Sequence, residues 1–236
     1  MVKKMQRRPR RYESLSREQI IQAAIELLDS GGESALTFRN LSERLATGPG
    51  AIYGHVANKS DLLEAACSAV IAPAVDLQAK DMPPKAAIRA VALTMFDAMD
   101  AHPWIGSALA WAAGKSTMVS VLERVGQQIH ALGVAPEKHW VTVSVLLNYI
   151  LGVGGQNAAN AQVARAREAE RSEFLSAVAD AWLRLDPDRY PFTRSIATQM
   201  SVHDDRTDFL AGVDLILAGI ESGMTGIPQQ SENARK

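Results

Sequence analysis

The stretch from Leu36 to Lys59, LTFRNLSERLATGPGAIYGHVANK, decides how this chain is read, because its apolar spacing and its breakers describe two short helices joined by a tight turn. Thr37 is a good N-cap, and Leu41 and Leu45 follow four apart on one helical face, with Arg39, Asn40, Glu43 and Arg44 elsewhere. Ala46, Thr47 and Gly48 form the connection. Pro49 suits the first position of a second helix, where its missing N–H would be unpaired in any case. Ile52 and Val56 share a face that can pack on Leu41 and Leu45, so Tyr53 and His55 point away from this small core. Two helices with a short turn and an apolar seam make a helix-turn-helix, whose second helix offers its N-terminal residues to the major groove of DNA.

Upstream, Ser16 with Gln19 three residues on is a capping box for a first helix, and Ile20, Ala23, Ala24, Leu27 and Leu28 form its stripe up to Gly31-Gly32. Downstream, Ser60 reads as the N-cap of a fourth helix that stops before Pro73, and Asp81 to Pro84 is a breaker. Beyond it the period is 3.6 throughout. Helices are expected around residues 88–99, 104–113, 118–132, 137–167, 172–185, 192–200 and 207–222, the fourth of these interrupted near Gly152-Val153-Gly154-Gly155. No segment alternates like a half-buried strand, so the fold class is all-α: a three-helix head with a helix-turn-helix and a larger helical body. The expected layout is a basic flexible arm at 1–15, a DNA-binding domain at 16–72, an effector-binding and dimerisation domain at 73–223, and a tail at 224–236.

Charge is distributed unevenly along the 236 residues. Residues 1–17 carry seven Lys and Arg against Glu13 alone, which puts that segment at +6 and, with the whole chain at −1, the remainder at −7. Taken alone, such an arm reads equally as a solvated tail or as a phosphate-binding one; its place beside a helix-turn-helix favours DNA. No run of about 18 apolar residues is present to span a bilayer, and no apolar segment follows the basic start as in a secretory signal. The protein is therefore expected in the cytoplasm. The single cysteine, Cys67, lies on an apolar helix face without a nearby histidine and reads as core.

The first 72 residues resemble the DNA-binding domain of the TetR family of bacterial repressors, most of all its tetracycline-repressor-like branch. LTFRNLSERL and GPGAIYGHVANKSDLL carry the resemblance, with Tyr53, His55, Asn58, Lys59 and Leu62 at the family's signature spacing. The body is similar more weakly, through AHPW at Ala101 to Trp104 and the closing DDRTDFLAGVDLILAGI. The resemblance implies that Thr37 and Lys59 meet phosphate and that Arg39 reaches a base edge or phosphate. It implies further that Pro49, Gly50 and Ala51 face the groove and that Tyr53 and His55 meet backbone and bases. Two departures stand out: Ala46-Thr47 replaces the common Gly-Val turn, and Gly54 replaces a bulky residue after the tyrosine. Pro49, Gly50 and Ala51 bring no side-chain donors, so readout leans on Arg39, His55, apolar contact with thymine methyls and DNA shape.

Met95, Met99, Trp104, Trp111, Trp140, Tyr149 and Trp182 could line an apolar effector pocket, with His102, Asn148, Gln156 and Asn157 as orienting polar groups. Core packing is the competing reading of each. By resemblance, the eighth helix and the last, with its stripe Phe209, Leu210, Val213, Ile216, Leu217 and Ile220, form a four-helix bundle across a two-fold axis, hence a homodimer. The glycine run at 152–155 follows no strand, so a nucleotide loop is not expected there; close helix packing or a kink is. The histidines at 55, 102, 130, 139 and 203 have no paired ligand spacing, and no acid/base pair or nucleophile is visible, so no metal, cofactor or catalytic site is expected. The reading is a homodimeric repressor of a palindromic operator, released by a small, largely apolar effector. A regulator of the same fold without a ligand, or an activator, is the alternative, and an all-α enzyme a more distant one.

Overall fold

The computed structural model describes residues 15–78, 82–110, 116–166 and 171–225. Among the described residues the regular structure is entirely helical. The chain divides into two compact units between Ala66 and Cys67, inside the fourth helix, upstream of the Asp81–Pro84 breaker.

The first unit is built on α1 (Arg17–Ala35), α2 (Phe38–Arg44) and α3 (Pro49–Tyr53). The capping box forms: the Ser16 hydroxyl accepts from the Gln19 amide, and the Gln19 side chain accepts from the Ser16 amide. α1 is interrupted where Gly32 takes φ 62°, a left-handed conformation that suits glycine, and only a short turn continues to Ala35. Thr37 caps α2 by accepting from the Asn40 amide at 3.1 Å. Leu36, Leu41, Ile52 and Val56 are buried together with Ile20, Ala24 and Leu28 of α1, while Leu45 is half-buried. α3 is only five residues long. A single turn has no helical stability of its own, so it exists because Ile52 is wholly buried and Pro49 presets its first φ.

α4 (Lys59–Gln78) starts two residues earlier than the sequence suggests. Asn58, not Ser60, is its cap, with its Oδ1 accepting from the Asp61 amide at 2.9 Å while the Asp61 carboxylate accepts from the Ala57 amide. Cys67 is buried on this helix.

The second unit contains α5 (Pro84–Ala101), α6 (Trp104–Ala110), α7 (Ser116–Ala131), a 3-10 turn at Pro136–Lys138, and α8 (His139–Ala166). α9 (Arg171–Leu183), the one-turn helices α10 (Pro191–Ser195) and α11 (Ala197–Ser201), and α12 (Asp205–Thr225) follow. The expected helix at 192–200 is thus two short pieces meeting at Ile196. Gly133 closes α7 with φ 83°. Buried stripes at helical spacing supply the core: Val121, Val125 and Ile129 on α7, Leu146 and Ile150 on α8, Phe209, Val213 and Leu217 on α12.

α8 runs unbroken through residues 152–155, so of the two expectations for this glycine run the break does not form and the close helix packing does. Packing is the reason. A side chain at Gly154 would collide with Met99 of α5, and one at Gly106 of α6 would touch the Gly155 Cα at 3.4 Å. Glycine here lets α8 approach α5 and α6 closely, and that packing outweighs its propensity cost of about 1 kcal/mol. Three ion pairs run along α5 and α12: Lys85 with Glu221, Arg89 with Asp214, and Asp97 with Arg206. Residue numbers rise on one helix as they fall on the other, as antiparallel packing requires.

Candidate functional site

Every residue expected at DNA is exposed in the first unit. Pro49, Gly50 and Ala51 are exposed at the start of α3, Tyr53 at its end and His55 just beyond it. Lys59 is exposed at the start of α4, where its Nζ donates to the Glu33 carbonyl, and Thr37 is exposed at the cap of α2. Arg39 is 87% exposed and its Nε donates to Glu43 at 3.0 Å, an i,i+4 pair worth a few tenths of a kcal/mol. A pair this weak holds the guanidinium in place without committing it. At the base of the first helix, the Glu18 carboxyl is held below its usual range. Its own backbone amide is the main cause, followed by the Ser16 hydroxyl, with Arg17 and His55 adding positive charge.

The sequence reading missed Phe38. This residue opens α2 off the apolar stripe, yet it is half-buried because the Tyr53 ring lies on it, centroids 4.4 Å apart and planes 19° from parallel. Tyr53 is 55% exposed, so the stack supports the ring while leaving the residue accessible. The turn carries a second local feature. Ala46 has φ 49°, a left-handed conformation that costs a non-glycine residue about 1–2 kcal/mol, at the position where the family commonly has glycine.

In the second unit the expected pocket residues scatter. Met95 and Met99 are fully buried core, Trp104 is 4% exposed, and His102 lies edge-on to Trp104 at 6.0 Å. Trp140 is 73% exposed, Asn148 is exposed and Trp182 half-buried, while Trp111 lies outside the described residues. Tyr149, Gln156 and Asn157 do come together, in a cleft of about 740 Å³ among α5, α8, α9, α11 and α12. Core and cavity residues share one periodicity, which is why aromatic content alone misplaced the others.

Phe96, Phe209 and Tyr149 form a stacked row in this cleft, with centroids 4.7 and 5.7 Å apart. Gly212 leaves room for the Tyr149 ring, whose hydroxyl donates to the Phe209 carbonyl at 3.1 Å. Burial, and then the charge of Asp208, push the Tyr149 phenol up from its ordinary value. Around the row stand five carboxylates. Asp97 takes both hydrogen bonds of a bidentate Arg206 at 2.9 and 3.1 Å, which raises the guanidinium's own pKa. His203 sits between Asp205, at 2.7 Å, and Asp208. Asp100 accepts from the neutral amide of Asn157 at 3.2 Å, and Asp204 caps α12 by accepting from the Thr207 amide at 2.7 Å. Among the described residues, no group of three or more His, Cys, Asp or Glu is arranged to hold a metal ion.

The expected dimer stripe also divides. Phe209, Val213 and Leu217 are buried within the protomer, so they belong to its own core and not to an outer face. Leu215 is 76% exposed, and Leu210, Ile216 and Ile220 are half-buried. With Val141 and Val145 of α8, Ile216 and Ile220 line an apolar groove of about 490 Å³.

The head is a helix-turn-helix module, and the comparisons agree with it. Residues 20–66 match the model of the bacterial regulatory proteins of the tetR family, and residues 84–224 match the tetracyclin repressor-like C-terminal domain. The chain belongs to the TetR family of transcriptional regulators. It is 27% identical to the class D tetracycline repressor of Escherichia coli over 225 residues, 91% of this chain and 93% of that one. SCO7222, a TetR transcriptional regulator of Streptomyces coelicolor, superposes with a TM-score of 0.79 at 49% identity, covering 88% of this chain and 98% of its own. ActR of the same organism, in complex with actinorhodin, shares the fold with a TM-score of 0.73 at 18% identity, covering 89% of this chain and 97% of its own. Among the described residues, no helix is long and apolar enough to cross a membrane.

Proposed function

We propose that this regulator is a homodimeric repressor that binds a palindromic operator and is released by a small molecule. It has no catalytic role and works in the cytoplasm, with residues 16–72 as the DNA-binding domain and 73–223 as the effector and dimerisation domain. The observation that carries the reading is that Thr37, Arg39, the Pro49–Ala51 start of α3, Tyr53, His55 and Lys59 are all exposed on the helix-turn-helix unit. Helix starts, hydroxyls and cations together are the groups that register a protein on a phosphate backbone. Two such heads would read half-sites about one helical turn apart.

The aromatic-floored cleft is the effector site in this reading, as the solved complex of ActR with actinorhodin supports for a protein of the same fold. The groove between α8 and α12, with Leu215 beside it, is the dimer face, where burying Val141, Val145, Ile216 and Ile220 against a second copy would remove apolar surface from water. Release requires the effector to bind the DNA-incompetent state more tightly.

A gel shift on DNA upstream of the protein's own gene, repeated against a compound library, tests operator and effector together. Tyr53→Ala is the control: it should abolish specific binding, and wild-type affinity in that variant would overturn the assignment of the surface.

A further inference from the structure

We infer that the cleft of the second unit takes an amphipathic organic cation: a flat apolar body lying against the half-buried Tyr149 end of the Phe96–Phe209–Tyr149 row and a protonated amine among the surrounding carboxylates. The inference rests on the proposed role of the cleft as the effector site and narrows the effector from "largely apolar" to one charge class.

The cavity and its aromatic floor make the site; the charge around it selects what enters. At about 740 Å³ the cleft is in the range of clefts that hold drug-sized ligands. Its lining carries Asp97, Asp100, Asp204, Asp205 and Asp208 against Arg206, with His203 between Asp205 and Asp208, a net of −4 with that ring neutral and −3 with it protonated. The whole chain outside the basic arm has a net of −7, so about half of that excess sits around one cavity. This is a local concentration and not the average acidity of the surface.

The internal pairings cancel it only in part, since His203 lies between Asp205 and Asp208. Arg206 is committed to Asp97 through both of its hydrogen bonds, and Asp100 has the neutral amide of Asn157 as its partner. The field also reaches the floor, since the charge of Asp208 adds to burial in raising the Tyr149 phenol. Low-dielectric walls lined by one sign of charge focus the potential, which draws a cation in and opposes an anion. A bare divalent ion is not the fit, because no metal-ligating group of three is arranged among the described residues. An aromatic ammonium ion meets both halves of the site: the half-buried Tyr149 ring offers an aromatic contact, and the carboxylates offer charge.

Three acridines of one shape and different charge test this on the full-length protein without DNA. 9-Aminoacridine is a cation at neutral pH, acridine is neutral, and acridine-9-carboxylate is an anion; each is followed by its own fluorescence. The expected order of affinity is cation, neutral, anion, with the cation's advantage shrinking between 50 mM and 500 mM salt as charge is screened. The double variant Asp100→Asn with Asp204→Asn removes two charges while keeping both acceptors, since asparagine also caps a helix. At about 6 Å in a water-like dielectric each lost charge costs the cation roughly threefold in affinity, so the pair should cost about tenfold and leave acridine unaffected. An anion bound as well as the cation, an unchanged cation affinity in the double variant, or no binding by any of the three would each overturn the inference. Operator binding is measured separately: a chain that shifts DNA but ignores the acridines remains a repressor with a different effector.

Discussion

Replacing Phe38 by leucine tests whether the Tyr53 ring works because it is held. In the structure the two rings lie 4.4 Å apart and nearly parallel, and α3, a single turn, has little stiffness of its own. Leucine keeps most of the buried apolar area but removes the aromatic partner, worth about 0.5–1.5 kcal/mol beyond burial. The Tyr53 side chain then moves freely and must be ordered on DNA, at about 0.5–1.5 kcal/mol for each immobilised side chain. A two-fold complex contains two such tyrosines, so the expected loss is about 1–3 kcal/mol, or roughly 5- to 150-fold in Kd. Fluorescence anisotropy on an upstream DNA fragment reads this directly, and Phe38→Tyr, which keeps the stack, should restore the affinity. Phe38 itself meets no phosphate in this account, so the slope of log Kobs against log salt should not change. A folded Phe38→Leu protein with wild-type affinity, or one whose salt slope falls, would refute the reasoning.

Three further outcomes are expected. Deleting residues 1–11, which remove six cations, should weaken binding to all DNA sequences alike and flatten the salt dependence; an unchanged slope in the same titration would show the arm idle. Ala46→Gly relieves the left-handed strain in the turn and, after glycine's own entropy cost, should stabilise the head by about 0.5–1 kcal/mol in thermal unfolding. Gly154→Val forces a side chain onto Met99 and should cost about 1–3 kcal/mol in chemical denaturation, with the DNA-contacting residues untouched.

Local patterns were legible in the sequence, and assembly was not. The head could be read because its signals sit within a few residues of what they control: Ser16 with Gln19, Thr37 with Asn40, Pro49 at the start of α3. Phe38 escaped notice because its partner lies 15 residues away across a turn, and because the first position of a helix carries no periodic signal. At the glycines of α8 the sequence suggests a break or close packing alike, and only the fold shows that Met99 fills the space they leave. The cleft was half visible. Tyr149, Gln156 and Asn157 were within reach of reasoning, but Asp204, Asp205 and Asp208 look like a solvated helix start until α5 brings Asp97 and Asp100 opposite them. On α12 two apolar stripes interleave, and only packing shows that Phe209, Val213 and Leu217 face inward while Leu215 remains outside.

The three ion pairs between α5 and α12 add little stability, since each is about half exposed and worth at most about 1 kcal/mol. Their order of sign carries more information than their strength. Reading away from the start of α5, the charges are plus, plus, minus, and the facing residues of α12 are minus, minus, plus. The pattern works like the teeth of a key. A slide by one helical turn, about 5.4 Å, pulls all three pairs out of register at once, whereas a tilt about the middle of the seam strains only its ends. The sign pattern therefore marks one register of the two helices, and its Asp97–Arg206 end lies in the wall of the cleft.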